Sequence, residues 1–189
     1  ANLNCDYGNI NVDELLNDSN TINLDYCGGS EINFMKSGSI NIDYSKIQVE
    51  KSESLNVNAD YSTVKIGRSN NVKFNSDYGS IAVTDVANIS GSSDYASIKI
   101  GTLRKNLKIN TDYGSIKVDN IIKGFENITI DGSYAGVKLG TSSDNNFNFM
   151  IDLGYAGFNY PEKNVNLFKS IKKTTKKYYE GTFGNGNSK

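Results

Sequence analysis

The stretch Asp60-Tyr61-Ser62-Thr63-Val64-Lys65-Ile66 recurs one period later as Asp77-Tyr78-Gly79-Ser80-Ile81-Ala82-Val83. It returns after the same interval as Asp94-Tyr95-Ala96-Ser97-Ile98-Lys99-Ile100. The Asp-Tyr pair occurs seven times, at Asp6-Tyr7, Asp25-Tyr26, Asp43-Tyr44, Asp60-Tyr61, Asp77-Tyr78, Asp94-Tyr95 and Asp112-Tyr113, with degenerate copies at Ser133-Tyr134 and Gly154-Tyr155. Successive tyrosines lie 19, 18, 17, 17, 17, 18, 21 and 21 residues apart. That period is too short for two-helix repeats or propeller blades and fits one coil of a β-solenoid.

Apolar residues precede each tyrosine by six, four and two positions, as Leu55, Val57 and Ala59 precede Tyr61. They follow it by three and five, as Val64 and Ile66 do. Alternation with period two marks strands on both sides. The switch from even to odd offsets requires a corner between them, which the reading places just after the tyrosine, at Gly79-Ser80, Ala96-Ser97 and Gly114-Ser115. Each coil then reads as strand, corner, strand and return loop. The prediction is an all-β, single-stranded β-solenoid of about nine coils of roughly 17–21 residues, with repeats over 3–160. The whole chain, 1–189, forms one domain in which 161–189 make a basic C-terminal coil or cap. An antiparallel barrel or meander is the rival architecture, because a turn after every tyrosine also suits a hairpin.

On this register Tyr7, Tyr26, Tyr44, Tyr61, Tyr78, Tyr95, Tyr113, Tyr134 and Tyr155 share the inward parity of the incoming strand and are expected to form a buried ladder. The competing reading is an outward stripe that meets sugar rings or a partner protein. Asp6, Asp25, Asp43, Asp60, Asp77, Asp94 and Asp112 point outward and are assigned to capping the corner through Asx turns. Ca²⁺ bridging and acid/base catalysis are weaker readings of this column. Catalysis needs two carboxylates in different environments, whereas these are equivalent copies. Lys65, Lys99, Lys117 and Lys138 are expected to offset part of the stacked charge. The longer stretches 27–30, 121–125 and 141–146 read as surface loops on the return side, with the lining of a binding groove as the alternative.

The chain has no histidine, which removes Ser-His-Asp and Cys-His nucleophiles and imidazole ligands. Two cysteines are too few for a thiolate zinc site. Cys5 and Cys27, offset by roughly 10 Å along adjacent coils, are expected to stay reduced. The glycines form no phosphate-binding loop. No cofactor or metal is expected, and the chain is read as a non-enzyme. The segment 161–189 holds seven Lys against two acids and is therefore +5, which leaves −6 on the rest of a chain whose net charge is −1. Lys169, Lys172, Lys173, Lys176 and Lys177 are candidates for a weak contact with an anionic surface. Nucleic acid is not expected, since the chain has only two arginines, Arg68 and Arg104, and no accompanying motif. The same two arginines read as scattered, against the clustered Asp, Lys and Arg of a polysaccharide-active groove.

The copies Asp77 to Val83 and Asp112 to Val118, with Asp60 to Ile66 and Ser133 to Leu139, resemble the strand-turn-strand units of the adhesin-domain families common in Bacteroidetes. The resemblance spans roughly positions 3–160. It implies a right-handed β-helix on a secreted, periplasmic or outer-surface protein of a Gram-negative bacterium, with an adhesin-like structural or binding role. It supplies no catalytic residues. The closing stretch from Gly181 to Ser188 resembles a glycine-rich return before a further coil, and the chain opens inside a repeat, so the reading is of a trimmed or mature fragment. A cell-surface glycan or protein is the expected partner, and end-to-end self-association through exposed coils is a further expectation. Alternatives are a polysaccharide-active or polysaccharide-binding β-helix and a periplasmic partner in envelope-stress signalling.

Overall fold

The computed structural model describes residues 1–158, 160 and 162–186. The strands are β1 (Asn2–Asp6), β2 (Asn11–Leu15), β3 (Asn20–Asp25), β4 (Ser30–Asp43), β5 (Lys46–Asp60), β6 (Thr63–Asp77) and β7 (Ser80–Asp94). They continue as β8 (Ser97–Asp112), β9 (Ser115–Ile121), β10 (Asn127–Ser133), β11 (Gly136–Thr141), β12 (Phe147–Gly154), β13 (Val165–Lys172) and β14 (Lys176–Phe183). From β1 through β12 every pairing within the stack is parallel, each coil lying on the equivalent residues of the one before; Asp43 pairs with Asp60, Asp60 with Asp77, and Asp77 with Asp94. Parallel pairing of each position with its counterpart one repeat away makes a solenoid and rules out the meander.

Burial follows the predicted columns. Leu55, Val57 and Ala59 before Tyr61, and Val64 and Ile66 after it, are all buried. Each fully buried Ile, Leu or Val side chain contributes about 1.5–3 kcal/mol. In the middle coils the expected return loop is itself strand, so that β5 runs unbroken from Lys46 to Asp60. It turns where two consecutive side chains face outward: Glu50 with Lys51, Glu53 with Ser54, and Asp60 with Tyr61. Three such breaks per coil give a three-sided cross-section with Ser52 and Ser69, bonded Oγ to Oγ at 2.8 Å, inside the short side.

Two expectations about the periphery change. The stretches 121–125 and 141–146 turn at the surface, exposed at 123–124 and 142–144, but they are also anchored inward: Phe125 is buried edge-on against Phe147 at 4.7 Å between ring centroids. Buried Asn145 donates through Nδ2 to the Ile121 carbonyl and to Thr141 Oγ1, both at 2.8 Å. The parallel stack also ends after about eight turns rather than nine. Beyond Tyr155 the chain forms an antiparallel hairpin, with β14 paired to β12 on one side and to β13 on the other. The stretch from Gly181 to Phe183 therefore belongs to an antiparallel strand and not to a return before another coil, while Asn187 and Ser188 lie outside the described residues.

The cysteines are closer than their offset implied. Cys27 enters the interior directly after Tyr26, and its thiol donates to the Cys5 carbonyl at 3.1 Å. Both thiols are free, and the hydrogen bond with Cys27, followed by burial, pushes the Cys5 thiol above its usual range.

Candidate functional site

The nine repeat tyrosines all have φ between 47° and 57°, and they are the positive-φ residues other than glycine among the described residues. This left-handed conformation costs a bulky L-residue roughly 1–2 kcal/mol. It also decides where the ring goes. Counting by twos from Leu55 and Val57 carries inward parity onto Tyr61 only if the strand continues through that residue. The corner lies on the tyrosine itself, so the ring swings outward and the following small residue points in: Cys27, Ser45, Ser62, Ala96 and Ala135 are buried.

The inward ladder expected of these tyrosines is therefore corrected to an outward one. Eight rings are 44–59% exposed, and Tyr7, which ends the stack, is 78% exposed. Neighbouring centroids are 4.3–5.2 Å apart and the ring planes agree within 5°. Parallel rings at this separation are offset-stacked, each partly covering the next while its edge and hydroxyl meet solvent. Burial against the neighbours, and then the adjacent phenols, push the Tyr44 and Tyr95 hydroxyls above their ordinary range. The Tyr44 and Tyr95 hydroxyls are thus neutral donors at physiological pH.

The stripe is built into the backbone ladder. Tyr61 N–H donates to the Asp77 carbonyl at 2.9 Å and Tyr78 N–H to that of Asp94 at 2.9 Å, with the same bond at the other corners. The capping assigned to Asp6, Asp25, Asp43, Asp60, Asp77, Asp94 and Asp112 takes a different form. The Asp60 carboxylate accepts from the Asp77 N–H at 3.2 Å and that of Asp77 from the Asp94 N–H at 3.1 Å, bracing one coil against the next. Inside the corner the bonds pass to serine. Ser62 Oγ donates to the Asp60 carbonyl at 2.7 Å and accepts from the Ser45 N–H at 3.0 Å. Ser45 repeats this with Asp43 and Cys27. The sequence signal for this role is the small residue that follows every tyrosine.

Three positions before the tyrosines runs a second outward column, in which Asn23, Asn41 and Asn58 each donate to the asparagine one coil back at 2.6–2.8 Å. A shallow groove of about 300 Å³ separates it from the aspartates, extending from Asp6 and Asn23 to Asn58 and Asp60. Burial first, then Asp60 and Asp25, push the Asp43 carboxyl above its usual range. Lys117 pairs with Asp119 rather than with the aspartate column.

The two arginines, scattered in sequence, meet at another corner. Arg104 Nε lies 2.7 Å and Arg68 Nε 3.7 Å from Asp85 Oδ1, and Arg104 also donates to the Ser69 carbonyl at 2.9 Å. Asp85 thus lies between the two guanidinium groups, while the hydrogen bonds of Arg104 go from Nη2 to the Ser69 carbonyl and Asn70 Oδ1. A separate apolar recess of about 240 Å³, lined by Phe147, Phe149, Phe158, Val165 and Phe183, lies where the hairpin meets the last coils. Fold and surface together define a single-chain β-solenoid with an aromatic and acidic corner along its length. Comparison with protein-family models, curated proteins and solved structures finds no match for this chain.

Proposed function

We propose that this protein is a non-enzymatic, extracytoplasmic, adhesin-like solenoid that binds a cell-surface glycan or protein of its bacterial habitat through the tyrosine corner. The carrying observation is the continuous exposed column of nine stacked rings. A contiguous exposed aromatic surface rimmed by polar groups is a common mark of an interaction site. The backbone supports the same reading. Glycine or asparagine would occupy a left-handed corner at lower cost, so a tyrosine at all nine indicates that the side chain itself is wanted there. Tyrosine supplies rigid contact area and a hydroxyl at low entropic cost. The equivalence of the aspartates argues for repetitive contact rather than for catalysis. The family resemblance of the repeat supports placement outside the cytoplasm.

The test is a screen of immobilised glycans and extracellular-matrix proteins with the wild type, a Tyr61→Ser/Tyr78→Ser/Tyr95→Ser variant and a Lys172→Gln/Lys173→Gln/Lys176→Gln/Lys177→Gln variant, each with an unchanged circular dichroism spectrum. The expected result is a binder whose affinity falls at least about tenfold in the tyrosine variant and survives in the lysine variant. Binding that ignores the tyrosines, or absence of any binder, would overturn the reading.

A further inference from the structure

Two surfaces of this chain carry unneutralised charge of opposite sign on the same corner. The first is the acidic stripe, one carboxylate per coil from Asp6 to Asp112; in the last two coils Ser133 and Gly154 take the stripe position, and the nearest carboxylates, Asp131 and Asp152, stand in the neighbouring asparagine column. The ion pairs among the described residues involve Asp18, Asp85, Asp119 and Glu126, and none of the stripe carboxylates. Stacked like charges one strand spacing apart repel, and at Asp43 this repulsion adds to burial, the larger cause, in raising the carboxyl.

The second surface is the turn of the β13–β14 hairpin. Tyr155 N–H donates to the Thr175 carbonyl at 2.7 Å, the position that the next coil's aspartate carbonyl takes at the middle corners. The tip therefore continues the stripe, with Lys172, Lys173, Lys176 and Lys177 in place of acids. Lys172 pairs directly opposite Lys177, and the described ion pairs include neither. Beside them on β13, Phe168 and Ile171 are exposed. Because the hairpin is locked into the ladder at the end of the corner, it cannot fold back along its own stripe.

We propose that the lysine tip of one copy docks on the tyrosine–aspartate stripe of a second copy. Charge complementarity selects this occupant. Geometry matches as well: opposed residues on neighbouring strands lie about 4.5–5.5 Å apart, close to the coil-to-coil step that separates the aspartates. Phe168 and Ile171 supply the apolar contact to the tyrosine edges. Tip and stripe are different surfaces, so a copy that gives its tip still offers its stripe, and the contact can propagate into a chain of copies. The proposal rests on the tyrosine corner being a binding surface and names a second copy as an occupant of it.

Sedimentation velocity at low and high salt tests it, with two charge-reversed variants of unchanged circular dichroism. One carries Lys172→Glu, Lys173→Glu, Lys176→Glu and Lys177→Glu. The other carries Asp25→Lys, Asp43→Lys, Asp94→Lys and Asp112→Lys, sparing the two aspartates that brace the backbone. The wild type is expected to self-associate at low salt and to dissociate at high salt, where surface charges are screened. Each variant alone is expected to be monomeric, and association should return when the two are mixed in the low-salt buffer. A wild type that stays monomeric at low salt, association unchanged in either variant, or a mixture that stays monomeric would overturn the proposal. The glycan and matrix screen separates this failure from that of the functional reading. Retained tyrosine-dependent binding by a monomeric wild type would leave that reading standing and remove only the self-docking.

Discussion

The middle coils and the C-terminal hairpin are both β-structure built on the same corner, yet they solve opposite problems. From β5 to β7 the coils stack in unbroken register, and β8 follows with a single shift beyond Val86, so a property present once in the repeat becomes a column, whether isoleucine inside or tyrosine outside. At β12 to β14 the pairing turns antiparallel, equivalence is lost, and the columns stop. The sign of the charge changes at that boundary. Strict register is thus what converts a short motif into an extended surface, and a break in register is what gives the molecule a distinct end.

The largest expected difference between the two regions is in the core. Ile98→Ala, at a fully buried position of a middle coil, is expected to cost about 2–5 kcal/mol in urea denaturation. Ile171→Ala on the exposed face of β13 should cost under about 0.5 kcal/mol. Equal losses would mean that the hairpin is as deeply packed as the coils.

Next comes the corner itself. Tyr95→Ala loses stacking with Tyr78 and Tyr113 and is expected to destabilise by about 1–3 kcal/mol. Tyr95→Gly loses the same ring but relaxes the left-handed residue, so it should be the milder of the two by about 1 kcal/mol. A glycine variant less stable than the alanine one would contradict the strained corner.

A smaller effect is expected at the arginine corner, where Arg104→Ala removes the short contacts to Asp85 and the Ser69 carbonyl and should cost about 1 kcal/mol. Arg68→Ala, at 3.7 Å and more exposed, should be near neutral. Reversal of that order would place the anchoring contact on Arg68.

The smallest effect tests the acidic stripe through pH. Because the Asp43 carboxyl titrates above its unfolded value, the folded protein holds that proton more tightly, and its contribution to stability is present at acid pH and lost as pH rises through the folded value. Asp43→Asn is therefore expected to raise thermal stability slightly at neutral pH and to flatten its decline across the upper carboxylate range. A steeper decline in the variant would show that Asp43 is stabilised as the anion.

Much of this was legible in the sequence, because a solenoid repeats its errors and its rules alike. The inward columns such as Ile81, Ile98 and Ile116 follow from parity on either side of each tyrosine and are buried as read. The direction of the tyrosine was not legible from parity, since alternation holds only within a strand and a single left-handed residue resets it. The clue was the small residue after it, Ser62 or Ala96, which needs space only if it points inward. The thiol contact was hidden by the same corner, because Cys27 turns inward beside Cys5 only once Tyr26 has turned out. The meeting of Arg68, Asp85 and Arg104 required knowing that Arg68 and Asp85 stack directly and that Arg104, two residues beyond Thr102 on the next coil, reaches back to them beside a register shift. The hairpin was least legible: its lysines and threonines mark a solvated turn, but only pairing shows that it caps the corner.

The central claim, that the tyrosine column faces solvent along the whole corner, is tested most directly by limited nitration of the native protein followed by peptide mass spectrometry. The account predicts modification at all nine repeat tyrosines, with Tyr7 among the fastest, and protection of Tyr179, which is 4% exposed. Protection of Tyr44 to Tyr113 to the level of Tyr179 would return the rings to the interior and contradict it.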